Sequence, residues 1–397
     1  MKLAIRLILL QTALGFSILS GQSLTVLREY KTHGELHGVI ARPDTNAIDP
    51  KLYVFQNNVT DSETGKILFL LKQEDRPLIS ANMRMLAIYS PREQPAGRTE
   101  PRQFELSVFS AQNKSAFRFQ DRYRNQGKTP SFFLNESKQA ILQVSPNGDR
   151  LKIFDNHGRL LREKSFSQDR PHNYENSIIR FNADGNRMAF YTRVFDMDNN
   201  RWDPMLFLLS SIGEEIRKTR LILKRIDDIA ISRSGKFVAV AGGTFRPVGN
   251  QSEHHIFVFD SLGKICNSLP YRAVQITFDS SERHLLIRNE QNIKVVDLNS
   301  DGIQTSVNIC GGRREIADIT FLNDSSFAVS SGTIKFIGPQ KIYDCPSVQI
   351  YSAQGFLIAE KNFPNTYSYT ADIYKSLSGQ QIGFCLQNSF NMLQLNQ

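Results

Sequence analysis

Apolar residues in this chain fall into short runs separated by polar turns, and one kind of run recurs eight times. The runs are LYVF at 52–55, LSVF at 106–109, LKIF at 151–154, LFLL at 206–209, IFVF at 256–259, IKVV at 293–296, VQIY at 348–351 and FNML at 390–393. Their starts lie 54, 45, 55, 50, 37, 55 and 42 residues apart. Each is rich in β-branched, aromatic and leucine side chains and too short for a helix.

A second element precedes most of these runs. IIRFNADGNRMAFYT (178–192), IAISRSGKFVAVAGG (229–243), ITFDSSERHLLIRN (276–289) and ITFLNDSSFAVSS (319–331) each read as strand, turn, strand. Asn, Asp, Ser and Gly fill the turns because they bond their own backbone or tolerate positive φ. After the run comes a second tight turn: DNHG at 155–158, SSIG at 210–213, DSLG at 260–263, NSDG at 299–302, SAQG at 352–355. A more polar strand follows, such as RLLREKSF at 159–166. Inner strands buried on both faces and an outer strand facing water would give this gradient. Four strands repeating every ~48 residues predict an all-β fold, a β-propeller of four-stranded antiparallel blades.

These segments resemble the WD40-like and TolB-type propeller repeats. FNADGNRMAFYT is similar to the TolB-type strand–turn–strand, and KLYVFQNNVTDSETGKILFLL at 51–71 resembles a quinoprotein-type hairpin. The resemblance spans nearly the whole chain after the leader, and it is one of repeat rather than of active site. The one Trp-Asp pair, Trp202-Asp203, falls in a loop, so the WD40 strand-end signature is missing. Length and period predict eight blades, with seven as the alternative. The chain ends on a third strand, and the segment 24–31 is positioned to supply the missing outer strand and close the ring.

The first residues, MKLAIRLILLQTALGFSILSGQ, carry Lys2 and Arg6 ahead of an apolar stretch at 7–19 and small residues Ser20 and Gly21. That is the pattern of a secretory signal peptide. The expected organisation is a signal peptide at 1–21 and one propeller domain at 22–397, secreted or periplasmic. No transmembrane segment is expected after cleavage, since no later apolar stretch reaches ~18 residues. The formal net charge is +9, or about +7 without the leader. With no basic run and no nucleic-acid motif, no nucleic-acid partner is expected, and the chain reads as a monomer. Cys266, Cys310, Cys345 and Cys385 lie in an exported context that permits disulfides. Cys345 and Cys385 sit towards one rim, so Cys345–Cys385 or Cys310–Cys345 are the candidate bridges, with free thiols as the alternative. Cys266, in an outer strand, reads as a buried free thiol.

Loop lengths single out one face. In an antiparallel blade the strand 2–3 turns and the blade crossings open on one side, and the strand 1–2 and 3–4 turns on the other. The insertions at 90–103, 193–204, 242–254 and 332–346 all belong to the first set. Long loops carry function more often than minimal turns. They and the crossings supply Arg92, Arg98, Arg122, Tyr123, Arg124, Arg193, Arg201, Trp202, Arg246 and His254 as candidate binding residues. Arginine forks and amphipathic rings suit a protein, a peptide or a glycan.

Catalytic and metal signatures are sparse. Asp196, Asp198 and Asn200 alternate as at the start of a calcium loop, but the turn glycine and the Glu at position twelve are absent. His254 and His255 are adjacent, so a regular strand points them to opposite faces. There is no G-x-S-x-G, H-E-x-x-H or P-loop. No cofactor is expected. The sequence therefore points to an exported, non-enzymatic binding propeller using its long-loop face. The alternative is a propeller enzyme, such as a lyase, lactonase or quinoprotein-like oxidoreductase, acting at the central channel.

Overall fold

The computed structural model describes residues 23–42, 48–80, 83–91, 102–110, 114–121, 130–146, 148–166, 177–245, 252–300, 302–308, 313–376 and 379–396. They form eight antiparallel sheets of four main strands each, arranged as the blades of a ring. From the axis outwards, blade 4 is Ile178–Phe181, Arg187–Asp196, Arg201–Ser210 and Glu215–Arg220. Blades 1, 2, 3, 5, 6 and 7 begin at Leu36–Ala41, Arg76–Ile79, Ser131–Asn135, Arg225–Ile231, Gln275–Phe278 and Arg314–Asn323 and repeat the plan. Blade 8 is built from both ends of the chain. Its inner strands are Ile373–Lys375, Gln381–Leu386 and Ser389–Asn396, and its outer strand is Ser23–Lys31, paired from Ser23↔Asn396 to Lys31↔Ser389. Eight blades and closure by the N-terminal strand both match the sequence reading.

The continuous apolar runs follow from burial on both faces. In LFLL, Leu206 and Leu208 pack into the seam with blade 5 beside Ile229 and Val240. Phe207 and Leu209 pack into the seam with blade 3 beside Leu142 and Ile153. Successive side chains point to opposite faces, so a strand between two seams needs apolar residues at every position. Each of the eight seams holds its own cluster. The core is thus a ring of wedges, and Leu24 of the closing strand belongs to the wedge between blades 7 and 8.

The first turns of five blades repeat one device. Ser80, Asn182, Ser232, Asp279 and Ser376 each accept the backbone N–H five residues on, from Met85, Arg187, Phe237, His284 and Gln381. The side chain completes the turn's hydrogen bonds and fixes the register of strand two.

Three expectations are corrected. The run LYVF lies in Pro50–Phe55, the second strand of blade 1, and the third strand is the short Asn58–Asp61. Val59 alone in that strand is fully buried, so its apolar signal was too weak to see. Cys345 and Cys385 are free thiols and form no bridge. The two-residue strand Tyr367–Ser368 runs between them, paired to Tyr343 and Asp344 on one side. On the other side Ser368 Oγ donates to the Cys385 carbonyl at 2.7 Å. Cys266 is exposed, not buried, because it is the extra residue of a bulge between Ile265 and Asn267. Cys310 lies outside the described residues.

Candidate functional site: the hairpin face

The described parts of the insertions expected as loops are mostly strand. In blade 4 the ladder runs on through Arg193↔Pro204, Val194↔Asp203, Phe195↔Trp202 and Asp196↔Arg201. In blade 5 it continues from Gly242↔His255 to Phe245↔Ser252, and in blade 7 from Thr333↔Asp344 to Ile337↔Gln340. Blade 2 shows the start of the same extension at Ser90↔Glu105 and Pro91↔Phe104. Pairing answers the backbone N–H and C=O groups that a free loop would leave to water. The runs RVF, TIKFI and KIY also favour extended backbone. All of these hairpins prolong strands two and three, so they project from one face of the ring.

Glycine lets the blade 5 hairpin leave its blade. A Cβ on Gly242 would stand 2.1 Å from the Arg225 carbonyl oxygen of the innermost strand. At the tip of the blade 7 hairpin, Gly338 takes φ +57° and, with Pro339, makes a two-residue turn. Apolar side chains stand exposed at or beside the tips of blades 4 and 7: Phe336 is 67% exposed, Met197 61% and Ile337 46%.

The described arginines of the face are engaged with local partners. Arg201 and Arg220 both pair with Asp203 Oδ1, at 3.2 and 2.9 Å. Arg193 donates to the Lys224 carbonyl. Arg225 pairs with Asp227 at 2.9 Å, Lys335 with Asp344 and Lys341 with Glu315 at 2.7 Å each. Each exposed pair adds little stability, but together they make a surface of mixed charge. Trp202 packs edge-on to Phe195, centroids 5.2 Å apart. His254 Nδ1 lies 3.9 Å from Asp227, and burial lowers the His254 pKa. His255 instead stacks on Phe257. Arg92, Arg98, Arg122, Tyr123, Arg124 and Arg246 lie outside the described residues.

Asp196, Asp198 and Asn200 form a hairpin turn. Asp196 accepts the N–H groups of Asp198 and Asn199 and the Asn199 side chain. Asn200 takes positive φ, +46°, to complete the turn. Among the described residues no group of three or more His, Cys, Asp or Glu side chains is placed to hold a metal ion.

Where the face meets the axis, the crossings bring aromatic rings together. His37 stacks on Tyr369 at 4.8 Å, and Tyr367 meets Tyr369 edge-on at 5.5 Å. Tyr367 OH donates to Glu35 at 3.4 Å. Burial lowers the His37 pKa and raises that of Tyr369. His37 joins Tyr367 and Tyr369 because it is the extra residue of a bulge between Leu36 and Gly38.

The polar residues along the axis were not foreseen. Asp228 accepts Arg180 of blade 4 at 2.7 Å and the Ile276 N–H of blade 6 at 3.0 Å. Asp318 accepts Gln275 of blade 6 at 2.7 Å, its neighbour's Ile319 N–H at 2.8 Å and the Ile373 N–H of blade 8 at 2.9 Å. Arg288 donates to the Ile316 carbonyl, and burial lowers its pKa. Asp372 stands beside Asp318 and is pushed up to about 6, by burial first and by Asp318 second. One sequence signal marks the set: Asp228-Ile229 and Asp318-Ile319 within innermost strands, and Asp372-Ile373 at the start of one, repeat the same pair.

No protein-family model matches the chain, and no curated protein matches it. Solved structures do. The Dos1 propeller aligns at 11% identity over 95% of this chain and 97% of its own, with a TM-score of 0.56. Chaetomium thermophilum Sqt1, solved bound to the N-terminus of the ribosomal protein L10, aligns at 10% identity over 93% of this chain and 99% of its own, with a TM-score of 0.54. The chain therefore has a WD40-like propeller fold, and the likeness extends to fold alone.

Proposed function

We propose that this chain is an exported, non-catalytic propeller that recognises a protein or peptide partner through its hairpin face. The observation that carries the reading is the extension of strands two and three beyond the ring in blades 4, 5 and 7, with Met197, Phe336 and Ile337 held in solvent at the tips. Paired hairpins are stiffer than loops, so little conformational entropy is lost on docking. Exposed apolar tips rimmed by paired charges have the make-up of a protein interface. Sqt1, a propeller of the same fold, binds the N-terminus of another protein, which supports a protein partner here. Export rests on the leader pattern of the first 21 residues. No helix among the described residues is long and apolar enough to cross a membrane.

Among the described residues the arginines of the face are paired locally, which speaks against their gripping an acidic partner. The axial carboxylates favour binding over catalysis, because Asp228 and Asp318 are occupied with neighbouring blades. The test is affinity capture from the exported fraction with the full chain and with Phe336→Asp/Met197→Asp. The reading expects the partner to be lost with the variant. Equal capture by both proteins refutes it.

A further inference from the structure

A second site lies where the ring closes. A cavity of about 560 Å³ opens between blades 8 and 1, beneath the link that follows the closing strand. That volume lies in the range of small-molecule sites. Blade 1 places Leu52 and Val54 in the seam with blade 2, so Tyr53 and Phe55 turn the other way and line this cavity. Their rings sit 6.1 Å apart, tilted by 47°. Gly34 lies over the Phe55 ring without a side chain; a Cβ there would stand 3.4 Å from it, in ordinary van der Waals contact.

The rim is rich in amides and hydroxyls. Thr60 donates to Asn58 at 2.7 Å, and Asn58 donates to Asn57 Oδ1 at 2.8 Å. This leaves the Asn57 amide nitrogen and the exposed Gln56 amide without a protein partner among the described residues. Asp61 is turned into its own turn, accepting the N–H groups of Glu63 and Thr64. The remaining charges on the lining, Lys31 and Glu35, are of opposite sign.

We propose that this seam binds a neutral oligosaccharide. Sugar rings offer apolar C–H faces to aromatic side chains and hydroxyls to amides, and they need no charge partner. The cavity opens beside the blade 8-to-1 crossing and the strand 2–3 turn of blade 1, on the same side of the ring as the hairpins, but none of its lining residues belongs to the hairpins of blades 4, 5 and 7.

The test is calorimetric titration of the full-length protein with maltohexaose, cellohexaose and chitohexaose. At least one is expected to bind saturably at millimolar concentration or better. Asn57→Ala, an exposed change, and Phe55→Ala should each weaken binding about tenfold. Phe336→Asp on the hairpin face should leave it unchanged. Binding of none of the three, or full retention in Asn57→Ala, overturns the proposal.

Discussion

The Asp318 carboxylate in blade 7 accepts the backbone N–H of Ile373 in blade 8 at 2.9 Å. Asp228 makes the same bond to Ile276 one blade apart, at 3.0 Å. A carboxylate within an innermost strand thus clasps the next innermost strand. The clasp adds a directional link to seams otherwise held by non-directional apolar packing.

Removing such a clasp leaves a partly buried N–H without an acceptor. Asp318→Ala should therefore destabilise the fold by about 2–4 kcal/mol, and Asp318→Asn by less, since the amide keeps an oxygen. Urea unfolding followed by circular dichroism measures both. A loss below ~0.5 kcal/mol for the alanine variant would show that the bond contributes nothing net.

Asp372 carries the opposite sign. With its pKa raised from 3.8 to about 6, it holds its proton better folded than unfolded. Its contribution is fully present below about pH 4 and is lost as pH rises through about 6. Asp318 faces it and raises the pKa further, while Arg288 opposes the shift. Asp372→Asn should stabilise the protein at pH 7.5 by on the order of 1–3 kcal/mol and change little at pH 4. Melting curves at the two pH values decide it; an equal effect at both would contradict the assignment.

Ring closure rests on the strand Ser23–Lys31. Leu24 is 6% exposed in the seam between blades 7 and 8, so Leu24→Ala should cost about 2–4 kcal/mol. Deleting residues 23–31 strips the outer pairing from Ser389–Asn396 and should broaden unfolding into more than one transition. A sharp single transition at the wild-type temperature would mean that the ring closes without it.

The thiols should react in order of burial. Cys266 is exposed, Cys345 half-buried and Cys385 fully buried with its pKa pushed up by desolvation. Brief alkylation of native protein, read by peptide mass mapping, should label Cys266 and spare Cys385 until denaturant is added. Early labelling of Cys385 would place it elsewhere than in the seam.

Much of the ring was legible because seam packing writes itself into the sequence. LFLL and IFVF are apolar at every position, and the turn residues recur at fixed offsets. Blade 1 was misread where Asn58–Asp61 buries a single side chain and leaves no run. The hairpin extensions were seen as insertions but not as strands, since RVFDMDNNRWDP mixes strand formers with turn formers. Candidate arginines were legible by type, yet their partners, such as Asp203 for Arg201 and Arg220, depend on register. The Asp-Ile repeats were present to be read, but only the curvature of the ring brings Asp318 to Ile373.

The account turns on the hairpin face. A photo-crosslinking residue placed at Phe336, at the blade 7 tip, tests it against one placed at Leu160, exposed on the outer strand of blade 3. In cells that produce the protein, the account predicts a discrete cross-linked partner from position 336 and none from position 160. A partner captured at 160 and absent at 336 would contradict it.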